Sequence, residues 1–224
     1  SAAQLMDFSR YGANGTKTDV FNFPNLKSPN SREPYSRLVS LLRRVKDIAT
    51  EEGKTIGVFA VLWIQGEADM GYETRGPADT NTEACLCNGD GSEWKKRVLQ
   101  LRKDLNEDIG TIFSQSSSPY WFVSQCGGKF LTNKYFEINQ AQIDLCDNKT
   151  MFMLEPSYWV THNKDGHPTG DGYRTFGECI SKKLCDVIID NSEPHILRPR
   201  EIYSLDDSHI RIYYSVPTPP ITIN

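Results

Sequence analysis

Residues 55–69 read TIGVFAVLWIQGEAD, an apolar run that passes directly into a polar motif. The apolar part is rich in β-branched and aromatic residues and is too short to span a membrane, so it predicts a buried strand over 55–62. Ligands of open α/β sheets bind at the carboxyl ends of the strands. Candidate site residues at this edge are therefore Gln65, Gly66, Glu67 and Asp69.

A second polar segment lies far downstream, at residues 165–174 with the sequence DGHPTGDGYR. It follows a short strand candidate over 151–154 and precedes a helical pattern with apolar residues Phe176, Cys179, Ile180, Leu184, Val187 and Ile188. His167 thus stands near Asp165 on a loop between a strand and a helix. An imidazole oriented by a carboxylate is the usual general base for a hydroxyl nucleophile. Taken alone, a histidine in a surface turn is the alternative.

The two segments together, Trp-x-Gln-Gly-Glu-x-Asp and the later Asp-Gly-His-Pro with a following Gly-Tyr, resemble the SGNH-hydrolase superfamily. The resemblance is to its sialic-acid O-acetylesterases and acetylxylan esterases, which include esterase domains of phage tail proteins. It covers roughly residues 10–190. It implies a serine esterase that removes acetyl groups from an O-acetylated glycan without a metal or organic cofactor. By the same analogy the protein is extracellular or virion-associated, and a homo-oligomer is compatible with this origin.

The resemblance implies roles for several residues. Gln65 matches the amide that stabilises the oxyanion, and His167 matches the general base. The acid that orients the histidine stays open. Many relatives place an aspartate three residues before it, where this chain has Lys164, with Asp165 one residue later. In some relatives the glutamate of the Gln-Gly-Glu motif serves, which here is Glu67.

The nucleophile is the departure from the family pattern, because no Gly-Gln-Ser or Gly-Asp-Ser occurs in this chain. Gly12-Ala13-Asn14-Gly15 resembles the family's second, glycine-rich motif, so Gly12, Asn14, Gly15 and the turn at Gly66 are candidate backbone donors to the oxyanion. Either the serine lies upstream of this chain or the site has lost it, with Ser9 as a weaker candidate. The alternative function is a glycan-binding module on an esterase scaffold. The absence of a Gly-x-Ser-x-Gly elbow argues against other α/β hydrolases.

Other residues of the motif have structural or substrate roles in this hypothesis. Trp63, Tyr72 and the long polar loop 70–91 would shape a sugar pocket, with core packing as the alternative for Trp63. Asp69 would fix the backbone of the motif by hydrogen bonds.

The composition is that of a globular protein with a substantial core: 224 residues, 38% hydrophobic and 11% aromatic. The net charge of −4 argues against binding of nucleic-acid phosphates, and no apolar stretch is long enough for a membrane span. Cys85 and Cys87 lack partners at zinc-ligand spacing, although a disulfide from either stays open. Buried thiols are favoured for Cys126, Cys146, Cys179 and Cys185.

The order of elements predicts a three-layer α/β/α domain with a mainly parallel sheet. The family resemblance implies that this domain lacks the strand that carries the nucleophile. Periodicity predicts a helix over 33–52 that Gly53 ends, strands over 120–124 and 151–154, and helices that Ser92 and Asn133 can cap. This domain would span 1–191. Residues 192–224 form a β-rich appendage with a hairpin over 201–205 and 209–214. The appendage would either begin an accessory module or extend the sheet edge.

Overall fold

A computed structural model describes residues 34–69, 90–127, 136–164, 166–192 and 197–216. The helices are α1 (Pro34–Glu51), α2 (Gly91–Phe113), α3 (Glu137–Asp144) and α4 (Gly170–Leu184), which continues as a π-helical turn, Cys185–Ile189. The strands are β1 (Ala60–Trp63), β2 (Tyr120–Val123), β3 (Met151–Met153), β4 (Arg198–Ser204) and β5 (Ile210–Ser215). Short 3-10 turns occur at Glu67–Asp69 and Ser157–Trp159. The predicted α/β fold class is confirmed.

The first three strands form a parallel sheet in the order β1-β2-β3. Trp63 is opposite Val123 in the register, and Val123 is opposite Met153. The carboxyl ends of all three strands therefore lie at one edge. The polar motif after β1 and the loops after β2 and β3 leave the sheet side by side.

Helices cover both faces of this sheet, so the predicted three-layer arrangement is present. Side chains alternate between the faces of a strand. Trp121 and Met151 pack into the cluster formed with α1, α2 and α3. Phe122 and Phe152, whose rings stack at 5.4 Å, pack instead against α4 through Phe176. No helix in the described ranges is long and apolar enough to cross a lipid bilayer.

The first strand begins at Ala60, and the prediction of a buried strand from residue 55 is wrong. The side chain of Gln115 takes the place of a strand partner, because its Oε1 accepts from the Val58 N–H at 2.8 Å and its Nε2 donates to the Val58 carbonyl at 3.0 Å. Phe59 is 74% exposed and Leu62 is 42% exposed. An apolar run alone does not reveal that an amide side chain replaces part of the ladder.

The helix ends follow ordinary capping chemistry. Gly53 ends α1 in the left-handed conformation, with φ of +68°, as predicted. The cap of α2 is Asp90 and not Ser92, because the Asp90 carboxylate accepts from two backbone N–H groups of the first turn at 2.8 and 3.1 Å. The predicted cap Asn133 lies outside the described residues.

The predicted C-terminal hairpin is confirmed. β4 and β5 pair antiparallel, with Ile202 opposite Ile212. Tyr203 and Tyr213 meet edge to face at 5.9 Å on one side of the ribbon. Side chains on both sides of the hairpin are mostly exposed, so it adds little to the core of the parallel sheet.

The described cysteines are free thiols with different environments. Cys126 is buried, Cys146 and Cys179 are half-buried, and Cys185 is exposed. The expectation of burial is therefore wrong for Cys185, which lies on the outer side of the π-helical turn. Cys85 and Cys87 lie outside the described residues.

Replacing Asp147 should destabilise the turn that leads into β3. Its Oδ1 accepts from the backbone N–H groups of Lys149, Thr150 and Met151 at 2.8–2.9 Å. Partial burial would raise the pKa of Asp147, but these hydrogen bonds lower it well below its usual 3.8. We expect Asp147→Ala to lower the free energy of unfolding by about 1–2 kcal/mol at neutral pH, measured by urea denaturation.

The pH dependence follows from the depressed pKa. The ionised carboxylate stabilises the fold above the unfolded value of 3.8, and this contribution is lost as the pH falls toward the folded value. The difference between wild type and Asp147→Ala should therefore shrink in strong acid. Asp147→Asn, which keeps the acceptor oxygen, is the control. An equal loss of unfolding free energy in both variants would show that the side-chain acceptor oxygen does not stabilise the turn.

Candidate active site

The polar motif turns sharply as it leaves β1. Gly66 has φ of +150°, and the Asp69 N–H donates to the Gly66 carbonyl at 2.9 Å to close the 3-10 turn. A Cβ on Gly66 would lie 2.5 Å from Gln142 Nε2 and 2.6 Å from Cys126 Sγ. Only glycine satisfies both the dihedral angle and the close packing at this point.

The side chain of Gln65 is buried and held at both ends. Its Nε2 donates to the Asp69 carboxylate, and its Oε1 accepts from the indole N–H of Trp94 at 3.3 Å. Asp69 is itself fully buried. Asp69 thus orients the amide of Gln65, in addition to closing the turn through its own backbone.

Glu67 is half-buried beside the end of β2. Burial raises the pKa of its carboxyl above the usual 4.5, while its own backbone N–H, a hydrogen bond from the Cys126 thiol and the nearby His167 act to lower it. The electrostatic effect of His167 means that the two candidate residues lie within range of each other. The site therefore contains a half-buried carboxyl group within electrostatic range of a histidine.

The raised pKa makes Glu67 costly to the fold at neutral pH. A carboxyl with a folded pKa above 4.5 stabilises the fold only while it is protonated, and this contribution is lost as the pH rises through the folded value. We expect Glu67→Gln to raise the free energy of unfolding by about 1 kcal/mol at pH 7, as is common when a destabilising functional group is replaced.

This stability gain should be smaller below pH 4.5, where wild-type Glu67 is protonated in both states. Thermal unfolding at several pH values measures it. Glu51→Gln, at an exposed position of α1, is the matched control and should change little. A Glu67→Gln variant that is less stable than wild type at pH 7 would contradict the burial argument.

The loop that carries His167 is a small, tightly bonded turn. The side chain of Asn163 accepts from the His167 N–H at 3.1 Å, and the Asn163 N–H donates to the His167 carbonyl at 2.8 Å. Thr169 then caps α4 by accepting from the Gly172 N–H at 3.1 Å. The backbone is thereby fixed, while the His167 side chain is exposed. An exposed imidazole on a fixed backbone can reach a substrate at the sheet edge.

The structure brings together four of the predicted site residues at this edge: Gln65, Gly66, Glu67 and Asp69. His167 lies within electrostatic range of Glu67. Apart from Trp63, the remaining candidates lie outside the described residues, namely Asp165, Gly12, Asn14, Gly15, Ser9 and Tyr72. Glu67 is therefore the candidate acid for which the structure gives a relation to His167.

Trp63 requires a correction. It is 8% exposed and packs in the core, with its ring 6.5 Å from that of Trp121. Because β1 presents this residue to the helices on one face of the sheet, its ring stabilises the core and does not line a sugar pocket.

The described serines near the site do not qualify as its nucleophile. The hydroxyls of Ser124 and Ser157 are buried and donate to the backbone carbonyl of Gln125 at 3.3 and 3.2 Å. Neither hydroxyl has an imidazole among its bonded partners.

A Ser-His-Asp set does occur in the hairpin turn, but its geometry is unsuitable. The hydroxyl of Ser208 lies 3.2 Å from His209 Nδ1, and Asp206 Oδ1 lies 2.8 Å from the same nitrogen. A triad needs the carboxylate and the hydroxyl on different ring nitrogens, so that one orients the ring while the other gives up its proton. This exposed cluster is a turn motif.

Two residues under the site were not predicted to belong to it. Cys126 touches Glu67, and Gln142 contacts both Cys126 and the carbonyl of Gln65. Gln142 had a detectable signal, since it lies four residues after Ile138 and three before Leu145 on the apolar side of α3. A glutamine on the buried side of a helix requires hydrogen-bonding partners in the interior.

The side chains of the site suit the stabilisation of an anion and proton transfer. An amide and a carboxyl group lie at one edge next to a glycine turn, with an imidazole within electrostatic range of the carboxyl. Among the described residues, no group of three or more histidine, cysteine, aspartate or glutamate side chains could hold a metal ion.

Comparison with known proteins adds little to this description. No protein-family model matches the chain, and no curated protein matches significantly. A crystal structure of an Arabidopsis thaliana protein at 1.6 Å resolution matches 68% of this chain, with a TM-score of 0.47 and 17% identity. This chain spans about half (52%) of that protein's length. At this level of likeness, the functional argument depends on the residues themselves.

Proposed function

We propose that the protein is a carbohydrate O-acetylesterase of the serine hydrolase type. The observation that supports the proposal most is that Glu67 lies within electrostatic range of His167 and next to the buried, hydrogen-bonded Gln65, at the carboxyl edge of a parallel sheet. An imidazole near a carboxylate can act as the general base, and a fixed amide provides a donor for an oxyanion. The resemblance of the two sequence segments to the SGNH esterases supports the same function.

In the proposed mechanism, a serine hydroxyl attacks the acetyl carbonyl of an O-acetylated sugar while His167 takes its proton. The amide of Gln65 and the turn at Gly66 stabilise the tetrahedral oxyanion. The sugar leaves as an alcohol after His167 returns the proton, and the acetyl group stays on the serine. A water molecule, activated by the same histidine, then releases acetate. Glu67, or Asp165, orients the imidazole.

The serine is proposed to lie upstream of this chain, in the same gene product. The support for this is the absence of a Gly-Gln-Ser or Gly-Asp-Ser sequence together with the bonding of Ser124 and Ser157 to the backbone. The glycan substrate, an extracellular or virion location and a homo-oligomer belong to the same proposal. So does the division into an esterase domain over 1–191 and a β-rich appendage over 192–224.

The test is acetate release from O-acetylated sugars and from p-nitrophenyl acetate. We would compare this 224-residue chain with a longer protein that includes the upstream gene sequence. Activity of the longer protein alone supports an upstream serine, whereas activity of the shorter chain places the serine within it. Saturable sugar binding without acetate release from either would overturn the esterase and favour a glycan-binding module.

A further inference from the structure

One side chain of α3 joins the two loops that carry the site. Gln142 is completely buried. Its Nε2 donates to the Gln65 carbonyl and to Cys126 Sγ, each at 3.0 Å, and its Oε1 accepts from the Cys126 N–H at 2.9 Å. Both N–H groups and the oxygen of the amide are thus used. A buried amide that is fully hydrogen-bonded fixes the groups it touches.

The bonds of Gln142 lead to the candidate acid. The Cys126 sulfur accepts from Gln142 and its thiol donates to the Glu67 carboxylate, which lies within electrostatic range of His167. Gly66 lies against the same amide and the same sulfur, with no room for a side chain. A shift of Gln142 would therefore be transmitted both to the oxyanion turn and to Glu67.

We propose that Gln142 is a positioning residue of this site. It holds the end of β1 and the end of β2 in the register in which the Cys126 thiol reaches Glu67 and Glu67 lies near His167. Gln142 acts through these neighbours and has no contact with the substrate. The effect on catalysis rests on the proposed esterase function, whereas the effect on Glu67 does not.

The chain offers a matched control on the same helix. Asn139 is also buried and its side chain donates to the Cys126 carbonyl at 3.1 Å, but it is bonded to the β2 side of the site. If the helix merely packs against the loop, changes at Asn139 and Gln142 should have the same consequences. If Gln142 positions Glu67, only its replacement should change the behaviour of that carboxyl.

The first experiment follows the titration of Glu67 by carbon-13 NMR of the full chain, with Glu67→Gln to assign the signal. Gln142→Met keeps the length of the side chain but loses its N–H donors. Without the sulfur contact the thiol no longer supports the carboxylate, so the midpoint of Glu67 should move upward. Asn139→Leu should leave it in place. An unchanged or lowered midpoint in Gln142→Met would overturn the proposal.

Cys126→Ala keeps the test available if Gln142→Met does not fold. This variant removes only the thiol, and it should also move the Glu67 midpoint upward. An unchanged midpoint would refute the connection through sulfur. We expect Tm to fall by roughly 3–8 °C in both Gln142→Met and Asn139→Leu, so a loss of stability alone does not separate them.

The second experiment uses the acetylesterase assay on the full-length gene product. We expect kcat to fall up to about 100-fold in Gln142→Met, with KM nearly unchanged, and to stay near wild type in Asn139→Leu. Equal kcat values in the two variants would contradict a positioning role. If wild type releases no acetate but Glu67 still shifts in Gln142→Met, the esterase proposal fails and the positioning of Glu67 stands.

Discussion

Replacing His167 with alanine should lower acetate release by about 1,000-fold or more in the form of the protein that is active. The imidazole is the only group in the proposed mechanism that takes the proton of the nucleophile and returns it to the leaving sugar. Because the loss concerns kcat, binding of the intact O-acetylated glycan should persist. Initial rates with p-nitrophenyl acetate and isothermal titration with the glycan measure the two quantities separately.

The His167→Ala variant should also fold normally. The side chain is exposed, and Asn163 holds the loop through the backbone of His167, which alanine retains. The matched control is His209→Ala in the hairpin turn, an exposed histidine whose imidazole is contacted by Ser208 and Asp206. Full activity of His167→Ala would refute the assignment of His167 as the base. Loss of activity in His209→Ala would indicate that the hairpin histidine, and not His167, is required for activity.

The elements that could be predicted from the sequence are those encoded locally. A few neighbouring residues determine each of them: the apolar stripe of α1, the short apolar runs of β2 and β3, and the alternation of apolar and polar residues in the hairpin. The start of β1 and the cap of α2 could not be predicted as reliably. The first depends on Gln115, which is 57 positions away from Val58 in the chain. The second depends on which nearby side chain reaches the free N–H groups of the first turn, and this is Asp90 and not the predicted Ser92.

The same distinction applies to the candidate site. Gln65, Glu67 and His167 lie in contiguous motifs, so the sequence indicates them directly. The sequence does not indicate the residues that hold these three in place. Gln142 contacts the Gln65 carbonyl across 77 positions, and Cys126 contacts Glu67 from the end of a different strand. Such contacts arise when parallel strands and a helix pack together. A single sequence gives at most a hint of them, as the buried glutamine of α3 does.

Replacing Gly66 with alanine should destabilise the protein by roughly 3–5 kcal/mol. One part of this loss is backbone strain, because φ of +150° is a region that L-residues rarely adopt. The other part is steric, because the new Cβ would lie 2.5 Å from Gln142 Nε2 and 2.6 Å from Cys126 Sγ. Chemical denaturation of wild type and variant gives the difference in the free energy of unfolding.

Gly53→Ala separates the two parts. Gly53 also has a positive φ, +68°, but nothing lies within 4 Å of the added Cβ. We expect this control to lose about 1–2 kcal/mol, the usual strain of a left-handed residue. The double variant Gly66→Ala with Cys126→Ala should be less destabilised than the sum of the single variants, because the sulfur is one of the two atoms in conflict. Two results would contradict this argument: strictly additive losses of unfolding free energy in the double variant, or a loss for Gly66→Ala no larger than that for Gly53→Ala. Either would mean that the turn relaxes away from Gln142 and Cys126, so that their packing does not fix the motif.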